Sequence, residues 1–393
     1  MNPGFKFFLK ALRLGGLAPS TGLHNYDISL FKKRHFIYPC FAMFISWFCA
    51  LRYFVFLAFF NPDQYSVPQT ILYVSAICYY VISATIRTEF VWKHWKNSQH
   101  SPIILFQRCN LEDPNGKLMV NSIEDFTNHK ESQRLDSSVW KYGTIFGFWF
   151  INSNGLFFLI LTILQKYDFG GGSTIATFHL VLRKHQDKEW LFYGAAVTGM
   201  FLNTFTDASC FIPILGGALT FNVATRFIEL AKWLKNRRIN GKKINLVSIQ
   251  NYYCHLVDLI KEIDDFALFR NGMMLSYAYF GLLISFYQIV YGDSFKNEIL
   301  SRFVFAFWTL SYIFEIFLVV WPSIYVNKKA RKAKLEMLKF KINQFTDESS
   351  DWHNANLQHF FARTPNDGLS LTYFKLAQLN GPSLLMVCQC VFL

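Results

Sequence analysis

Seven apolar stretches predict an all-α integral membrane protein with seven transmembrane helices, because each reaches the roughly 20 residues that a helix needs to cross a bilayer. The composition agrees with this prediction. Apolar residues make up 52% of the 393-residue chain and charged residues only 17%, below the roughly one quarter that is usual for a soluble domain. The predicted spans are residues 36–60, 67–91, 140–164, 190–216, 270–291, 303–325 and 371–393.

The distribution of Lys and Arg predicts how these helices are oriented. The N-terminal segment and the second, fourth and sixth connections hold about 28 basic residues, whereas the first, third and fifth connections hold about six. Because short basic connections stay in the cytoplasm, the N-terminus is predicted to be cytoplasmic and the C-terminus extracellular. The net charge of +13 then indicates contact with anionic lipid rather than nucleic acid, since no nucleic-acid-binding motif accompanies it.

Four amphipathic segments are predicted beside the spans. In residues 221–236, 249–267 and 326–345, apolar side chains recur every three or four positions and basic residues lie between them. These helices extend past the membrane, and their apolar stripes need partners within the chain or on other copies of it, because a solvated single helix of this kind is unstable. Near the start, alternating apolar and basic residues over 1–30 predict a short interfacial helix rather than a signal peptide.

Ionisable side chains inside a membrane span are costly, so each is a candidate for a structural or functional contact. Arg87 and Glu89 end the second predicted span, where their side chains are expected to extend to the membrane surface. Asp207 and Glu315 lie deeper, in the fourth and sixth spans, and need a partner, water or a ligand. A contact between helices and a role in ligand or ion binding are both open for these two carboxylates.

Aromatic and amide side chains in the predicted outward halves of the spans favour a pocket for a small molecule, because aromatic walls with a few polar groups suit such ligands. Ordinary packing and an aromatic belt at the membrane interface are the alternative for any one of them. Phe150 and Asn154 belong to the same aromatic and amide group. The candidate ligand-binding residues are Tyr73, Trp149, Asn152, Tyr193, Asn203, Tyr287, Gln288, Trp308, Tyr312 and Glu315.

No enzyme signature accompanies these residues. The sequence has no Walker loop, no Gly-x-Ser-x-Gly, no His-Glu-x-x-His and no paired His or Cys spacing for a metal. Catalytic residues, a metal site and a cofactor are therefore not expected, and the protein is predicted not to be an enzyme.

Four short stretches resemble the insect-type gustatory and odorant receptors, and the gustatory branch fits better. In order, they are residues 9–19 (LKALRLGGLAP), 250–275, 322–343 and 360–380. Their order and spacing carry the resemblance, since each stretch alone is degenerate. The family's motif in its last span is Thr-Tyr, five apolar residues and Gln-Phe, and one alignment of it here keeps only Gln389 and the apolar run before it.

The resemblance implies four subunits around a central pore that is lined by the last helix and opened by a ligand. It implies that Leu384, Leu385 and Val387 border the pore or its gate and that Gln389 lies nearer the outside. Partners would be a small-molecule tastant of unknown class, the permeating cations, lipid, and further copies of the chain or other receptor subunits. The implied parts are a cytoplasmic N-terminal segment (1–35), helices 1–6 with the ligand pocket (36–325), cytoplasmic anchor helices (326–370) and a pore-lining helix (371–393).

The expected function is thus a chemosensory receptor of the plasma membrane, acting as a tetrameric ligand-gated non-selective cation channel of the gustatory type. A non-conducting, co-receptor or photosensory member of the same family is the alternative. A G-protein-coupled receptor is disfavoured by the inverted charge distribution and by the missing Asp-Arg-Tyr and Asn-Pro-x-x-Tyr motifs. A transporter would be expected to contain inverted repeats, and the sequence shows no internal repeat.

Overall fold

The computed structural model is built almost entirely of helices. It describes residues 3–18, 36–58, 67–94, 102–109, 129–166, 189–242, 244, 246–291, 299–340, 371–373 and 377–379. Nine α-helices lie in these ranges: α1 (Pro3–Leu14), α2 (Ile37–Ala58), α3 (Val67–Glu89), α4 (Pro102–Cys109), α5 (His129–Lys166), α6 (Glu189–Asp207), α7 (Phe211–Ile239), α8 (Leu246–Tyr291) and α9 (Ile299–Leu338).

Two helices continue through irregular turns. A π-helical turn (Phe90–His94) extends α3, and a 3₁₀ turn (Ala208–Cys210) joins α6 directly to α7. Two short strands, β1 (Thr372–Tyr373) and β2 (Ala377–Gln378), pair in an antiparallel ladder near the end of the chain. The all-helical prediction is therefore confirmed for the described residues apart from this strand pair.

Three helices among the described residues are long and apolar enough to cross a membrane. They comprise Ala196–Ile239, Val247–Val290 and Phe305–Leu338, and a shorter apolar helix covers Ile37–Arg52. The count of seven spans and the orientation of the termini stay predictions.

The core lies where α7, α8 and α9 pack along one another. Phe227 on α7, Leu256 on α8 and Val326 on α9 are all fully buried in a single apolar cluster. The stripes predicted over 221–236 and 249–267 are thus buried within the chain, as their periodicity required.

Within the chain, the stripe predicted over 326–345 is not the face of α9 that packs. Leu335 and Leu338, which belong to that stripe, are 48% and 52% exposed, whereas Ala330, Ala333 and Met337 form the packed face of α9. Packing of the stripe against other copies of the chain stays a prediction. Small alanines allow α9 to approach its neighbours closely, so the larger leucines are placed on the outer face.

The N-terminal helix is buried in the protein, which corrects the prediction of an interfacial helix. Phe5 stacks on Phe106 of α4 with ring centroids 3.7 Å apart and meets Trp140 of α5 edge-on at 4.9 Å. Phe8 contacts Trp140 and Phe211 in the same edge-on manner. The apolar side of α1 fits this aromatic groove, while Lys10 on its other side is exposed.

A left-handed glycine ends α1. Gly16 has a φ of 67°, and its N–H and that of Leu17 donate to the carbonyl oxygens of Arg13 and Leu12, at 3.0 and 2.8 Å. A Cβ on Gly16 would lie 2.4 Å from the Cβ of Ala42 on α2. Glycine therefore allows both the turn and the close approach of α2.

Arg87 is fully buried rather than extended to the membrane surface, so the expectation for this residue is wrong. Its guanidinium donates to the carbonyl oxygens of Gly15, at 2.9 Å, and of Phe205. The Cζ atom of Arg87 also lies 4.9 Å from the centroid of the Phe205 ring. Glu89, two residues further on, forms an ion pair with the buried Arg270 of α8 at 3.1 Å. The two terminal nitrogens of the Arg87 guanidinium donate to backbone carbonyls, which ties α3 to the end of α1 and to α6.

The strand pair replaces the first part of the predicted seventh helix. Thr372 lies opposite Gln378, Tyr373 lies opposite Ala377, and the N–H of Leu379 donates to the carbonyl oxygen of Leu371 at 2.9 Å. A helix that begins at residue 371 is therefore wrong for residues 371–373 and 377–379. The candidate pore residues Leu384, Leu385, Val387 and Gln389 lie outside the described residues.

Two side chains from distant helices hold this strand pair. The Ser323 hydroxyl on α9 donates to the carbonyl oxygen of Leu379 and accepts from the N–H of Leu371, both at 2.8 Å. The carboxylate of Asp264 on α8 binds Thr372. β-Branched and aromatic residues favour this extended backbone, and Asp264 and Ser323 satisfy its polar groups.

Candidate functional site

A cavity lies between α3, α5, α8 and α9. Its volume is about 560 Å³ when the part open to solvent is included. The walls are mainly aromatic, with a few hydroxyl, amide and carboxylate groups among them. The lining residues are Ser75, Tyr79, Tyr80, Phe150, Asn154, Tyr277, Trp308, Ser311, Tyr312 and Glu315.

Helical spacing places these side chains on common faces. On α9, Trp308, Ser311, Tyr312 and Glu315 follow steps of three and four residues, which bring them to one side of the helix. Ser75 and Tyr79 on α3, and Phe150 and Asn154 on α5, are each four residues apart and follow the same rule. The described residues that line the cavity therefore all lie on helices rather than on loops.

A buried carboxylate ties three helices together beside the cavity. Asp207, at the end of α6, is 1% exposed. It accepts hydrogen bonds from the Tyr79 hydroxyl of α3 and from the Asn154 amide of α5, the latter at 2.6 Å. Of the two roles open for Asp207, the structure supports the contact between helices.

Two further polar contacts order the aromatic rings. The Tyr80 hydroxyl donates to the side-chain carbonyl of the buried Asn203, and the hydroxyls of Tyr277 and Tyr312 lie 3.0 Å apart. The Tyr277 and Tyr312 rings meet edge-on, with centroids 5.4 Å apart. Gly281 leaves space for Tyr312, because a Cβ there would lie 2.4 Å from the Tyr312 ring.

The ionisable carboxyl groups at the cavity are those of Glu315 and Asp207. Glu315 contributes a carboxylate to the wall, and Asp207 is near enough to Glu315 for the two to repel each other. No Lys, Arg or His is among the described residues that line the cavity. The buried Arg87 interacts electrostatically with Asp207, but its N–H groups bind the two backbone carbonyls named above.

Three of the ten predicted pocket residues line the cavity, namely Trp308, Tyr312 and Glu315. Asn203 lies one contact away, behind Tyr80. Five others are not among the lining residues. Trp149, Asn152, Tyr193 and Tyr287 are exposed, and Gln288 is buried elsewhere on α8. The side chain of Tyr73, on α3, is outside the described part of the structure.

Five lining residues were not selected from the sequence: Ser75, Tyr79, Tyr80, Tyr277 and Ser311. The spacing of some of these residues in the sequence could have indicated them. Ser75 and Tyr79 are four residues apart within a span, and Ser311 completes the face that Trp308, Tyr312 and Glu315 define. No group of three or more His, Cys, Asp or Glu within the described ranges is arranged to hold a metal ion.

The sequence matches no protein-family model and no curated protein. The structure, by contrast, is similar to two solved structures of the insect olfactory receptor OR5 from Machilis hrabei. The receptor in complex with eugenol aligns with a TM-score of 0.65 and 12% identity over 98% of this chain and 95% of that one. The chain has the fold of an insect olfactory receptor.

A second structure of the same receptor gives a TM-score of 0.63 with 14% identity, over 99% of this chain and 95% of that one. Both solved proteins are receptors rather than enzymes, which agrees with the prediction for this chain. Together with the three long apolar helices, the olfactory-receptor fold identifies a multi-pass membrane protein. The assignment to the gustatory branch stays a prediction.

Proposed function

We propose that this chain is a chemosensory receptor that binds a small organic molecule in the cavity and opens a cation pore in response. The likeness of fold carries the proposal, because it covers 98% of this chain and 95% of the olfactory receptor solved with eugenol. The match extends over nearly the whole of both chains rather than over one shared domain.

The cavity supports the binding half of this proposal. Its aromatic walls offer apolar area to a ligand, and hydroxyl and carboxylate groups at Ser75, Ser311 and Glu315 offer orientation. Four helices meet around it, so a ligand that fits one arrangement of these helices better than another shifts the balance between them. A tenfold preference for one arrangement corresponds to about 1.4 kcal/mol.

A continuous path leads from the cavity towards the end of the chain. Glu315 lines the cavity, and Ser323 lies about 12 Å further along the same helix. Ser323 holds the β1–β2 pair through Leu371 and Leu379. A displacement of α9 on ligand binding would therefore be passed to the segment that leads into residues 380–393.

We assign the pore to that last segment. Leu384, Leu385 and Val387 would form an apolar constriction that closes by excluding water, with Gln389 nearer the outside. Four copies of the chain, or this chain with other receptor subunits, would surround the pore. Residues 326–370 would join the subunits on the cytoplasmic side, and the four stretches that resemble insect-type receptors support this arrangement.

The same stretches support a gustatory type of receptor, with a tastant as ligand. The concentration of basic residues in alternate connections supports a plasma-membrane receptor whose N-terminus, including residues 1–35, is cytoplasmic. The ligand pocket and its helices then belong to residues 36–325, and the pore to the region 371–393 beyond the strand pair.

The test is whole-cell recording from cells that express the full chain and lack chemoreceptor channels of their own. Sugars, bitter compounds, amino acids and phenols such as eugenol are applied in turn. We expect at least one class to evoke a cation current. Leu385→Arg should abolish this current while surface expression is retained, because a charge in an apolar constriction changes its hydration.

The matched control is Leu14→Arg, the same substitution at an exposed position on α1. It should leave the current unchanged. A current that persists in Leu385→Arg would contradict the pore assignment. Signalling that requires a G protein and occurs without current would contradict the channel itself.

A further inference from the structure

We infer that the ligand of this cavity is a cation, either a protonated amine or a quaternary ammonium compound. The inference rests on the proposed function only in taking the cavity as the ligand site. It is argued from three features of the wall: a carboxylate without a hydrogen-bond partner among the described residues, several aromatic rings, and tyrosine hydroxyls that already form hydrogen bonds.

The carboxylate is that of Glu315. It lines the cavity, and it makes no hydrogen bond and no ion pair with any side chain or backbone group in the described parts of the chain. Its electrostatic interactions are with Asp207 and with the hydroxyls of Tyr79, Tyr277 and Tyr312. Because the Asp207 charge is of the same sign, a bound cation would relieve a repulsion as well as pair with Glu315.

Aromatic rings line the same cavity as this carboxylate. Trp308 and Tyr312 lie one to two turns from Glu315 on the same helix, and Phe150 and Tyr277 line the cavity from α5 and α8. The Tyr79 and Tyr277 rings lie 5.7 Å apart and are tilted at 42°, so their faces point in different directions. The faces of aromatic rings attract cations, and an aromatic cage beside a carboxylate is a recognition site for ammonium groups.

The tyrosine hydroxyls in the wall argue against a ligand that is recognised mainly by hydrogen bonds, such as a sugar. Those of Tyr79 and Tyr80 donate to Asp207 and Asn203, and those of Tyr277 and Tyr312 bind each other. An anionic ligand would meet the carboxylate of Glu315 in the wall and that of Asp207 beside it. None of the described lining residues is basic. Charge attraction at Glu315 is therefore the strongest polar interaction that the described wall still offers.

The test compares two ligands of nearly the same shape, phenyltrimethylammonium and tert-butylbenzene, which differ by a positive charge. Their dissociation constants are obtained from the thermal stabilisation of the purified full chain in detergent, at equal free aqueous concentrations. We expect the cation to bind at least about tenfold more tightly. Equal affinity, tighter binding of the neutral compound, or no binding of either would overturn the inference.

The variant Glu315→Gln keeps the shape of the side chain and removes its charge. It should weaken phenyltrimethylammonium binding about tenfold and change tert-butylbenzene binding by less than about threefold. The control is Glu262→Gln, the same change at a half-exposed carboxylate paired with Arg108 outside the cavity, and it should change neither. A preference for the cation that survives Glu315→Gln would contradict the role of Glu315.

The two proposals fail separately. Tight binding of the cation without any current in recorded cells would reject the channel and keep the ligand class. A current evoked by neutral compounds alone, with no binding of the cation, would reject the ligand class and keep the channel. If Glu315→Gln does not fold, the comparison of the two ligands on the wild-type chain still decides the inference.

Discussion

The carboxylate of Asp264 on α8 binds Thr372 twice, accepting from its backbone N–H at 2.6 Å and from its hydroxyl at 2.7 Å. The two oxygens of one carboxylate thus fix the backbone and the side chain of the first β1 residue. Because Ser323 of α9 binds Leu371 and Leu379 at the same end of the strand pair, the segment before residues 380–393 is anchored to both long helices. This anchorage is the physical link between the cavity and the proposed pore.

Asp264→Asn should weaken this link, since an amide has only one acceptor oxygen. Hydrogen bonds to a charged group contribute about 1.5–3 kcal/mol each, so we expect a loss of about 2 kcal/mol in the free energy of unfolding. Any ligand-evoked current should also decrease. Thermal unfolding of the full chain in detergent measures the first effect. Asp258→Asn, at an exposed pair with Lys261, should cost less than about 1 kcal/mol, and equal losses in both variants would reject the anchorage.

Arg270→Leu should be among the substitutions on α8 that lower the free energy of unfolding most. Arg270 is fully buried, pairs with Glu89 at 3.1 Å, and lies 4.1 Å from the ring centroid of Phe266. Its removal leaves the mostly buried Glu89 without this partner, at a cost of about 3 kcal/mol. Arg108→Leu is the control, because its ion pair with Glu262 is half-exposed and contributes about 1 kcal/mol or less. Unfolding in denaturant measures both, and a similar loss in the two variants would contradict the account.

Gly281→Ala should change the cavity while α8 stays helical. The added Cβ would lie 2.4 Å from the Tyr312 ring, so the ring must shift and its hydrogen bond to Tyr277 is lost. We expect ligand affinity to fall about tenfold, in line with an overpacking cost of about 1–3 kcal/mol. Gly194→Ala on α6 has nothing within 4 Å of the new Cβ and should leave binding intact. Unchanged affinity in Gly281→Ala would argue that Tyr312 does not shape the site.

Gly16→Ala tests the close approach of α1 and α2. Gly16 and Gly241 both have positive φ, 67° and 64°, but a Cβ at Gly16 would lie 2.4 Å from Ala42 whereas one at Gly241 has no neighbour within 4 Å. The backbone strain should cost about 1 kcal/mol at each position. The clash should add about 1–3 kcal/mol at Gly16 alone. If thermal unfolding shows equal losses for the two variants, α2 does not pack against this turn.

Helix periodicity predicted a large part of the fold. A repeat of three and four residues over 249–267 has a single helical interpretation, so the burial of Leu256 and Ile263 followed from the sequence. The same reasoning did not find the face at 326–345 that packs within the chain, because alanine carries little hydrophobic signal although Ala330 and Ala333 are fully buried. Periodicity also does not tell lipid from protein, which is why α1 was expected at a membrane interface.

The sequence predicted the part of the candidate site that lies on a single helix. Trp308, Tyr312 and Glu315 share a face of α9, and that face is visible in the sequence. The partners from other helices were missed, because the register between helices depends on contacts such as Tyr79 with Asp207, which are 128 residues apart. The strand pair was missed for the same reason, since Asp264 and Ser323 lie far from Thr372 along the chain.

The most direct test of a ligand-gated cation channel is current through a lipid bilayer that contains the purified full chain as its only protein. Phenyltrimethylammonium and eugenol are added separately under a potassium chloride gradient. We predict that a compound which stabilises the protein against heat also opens discrete conductances, with a reversal potential close to that of potassium. Thermal stabilisation by such a compound without any conductance would contradict the central claim.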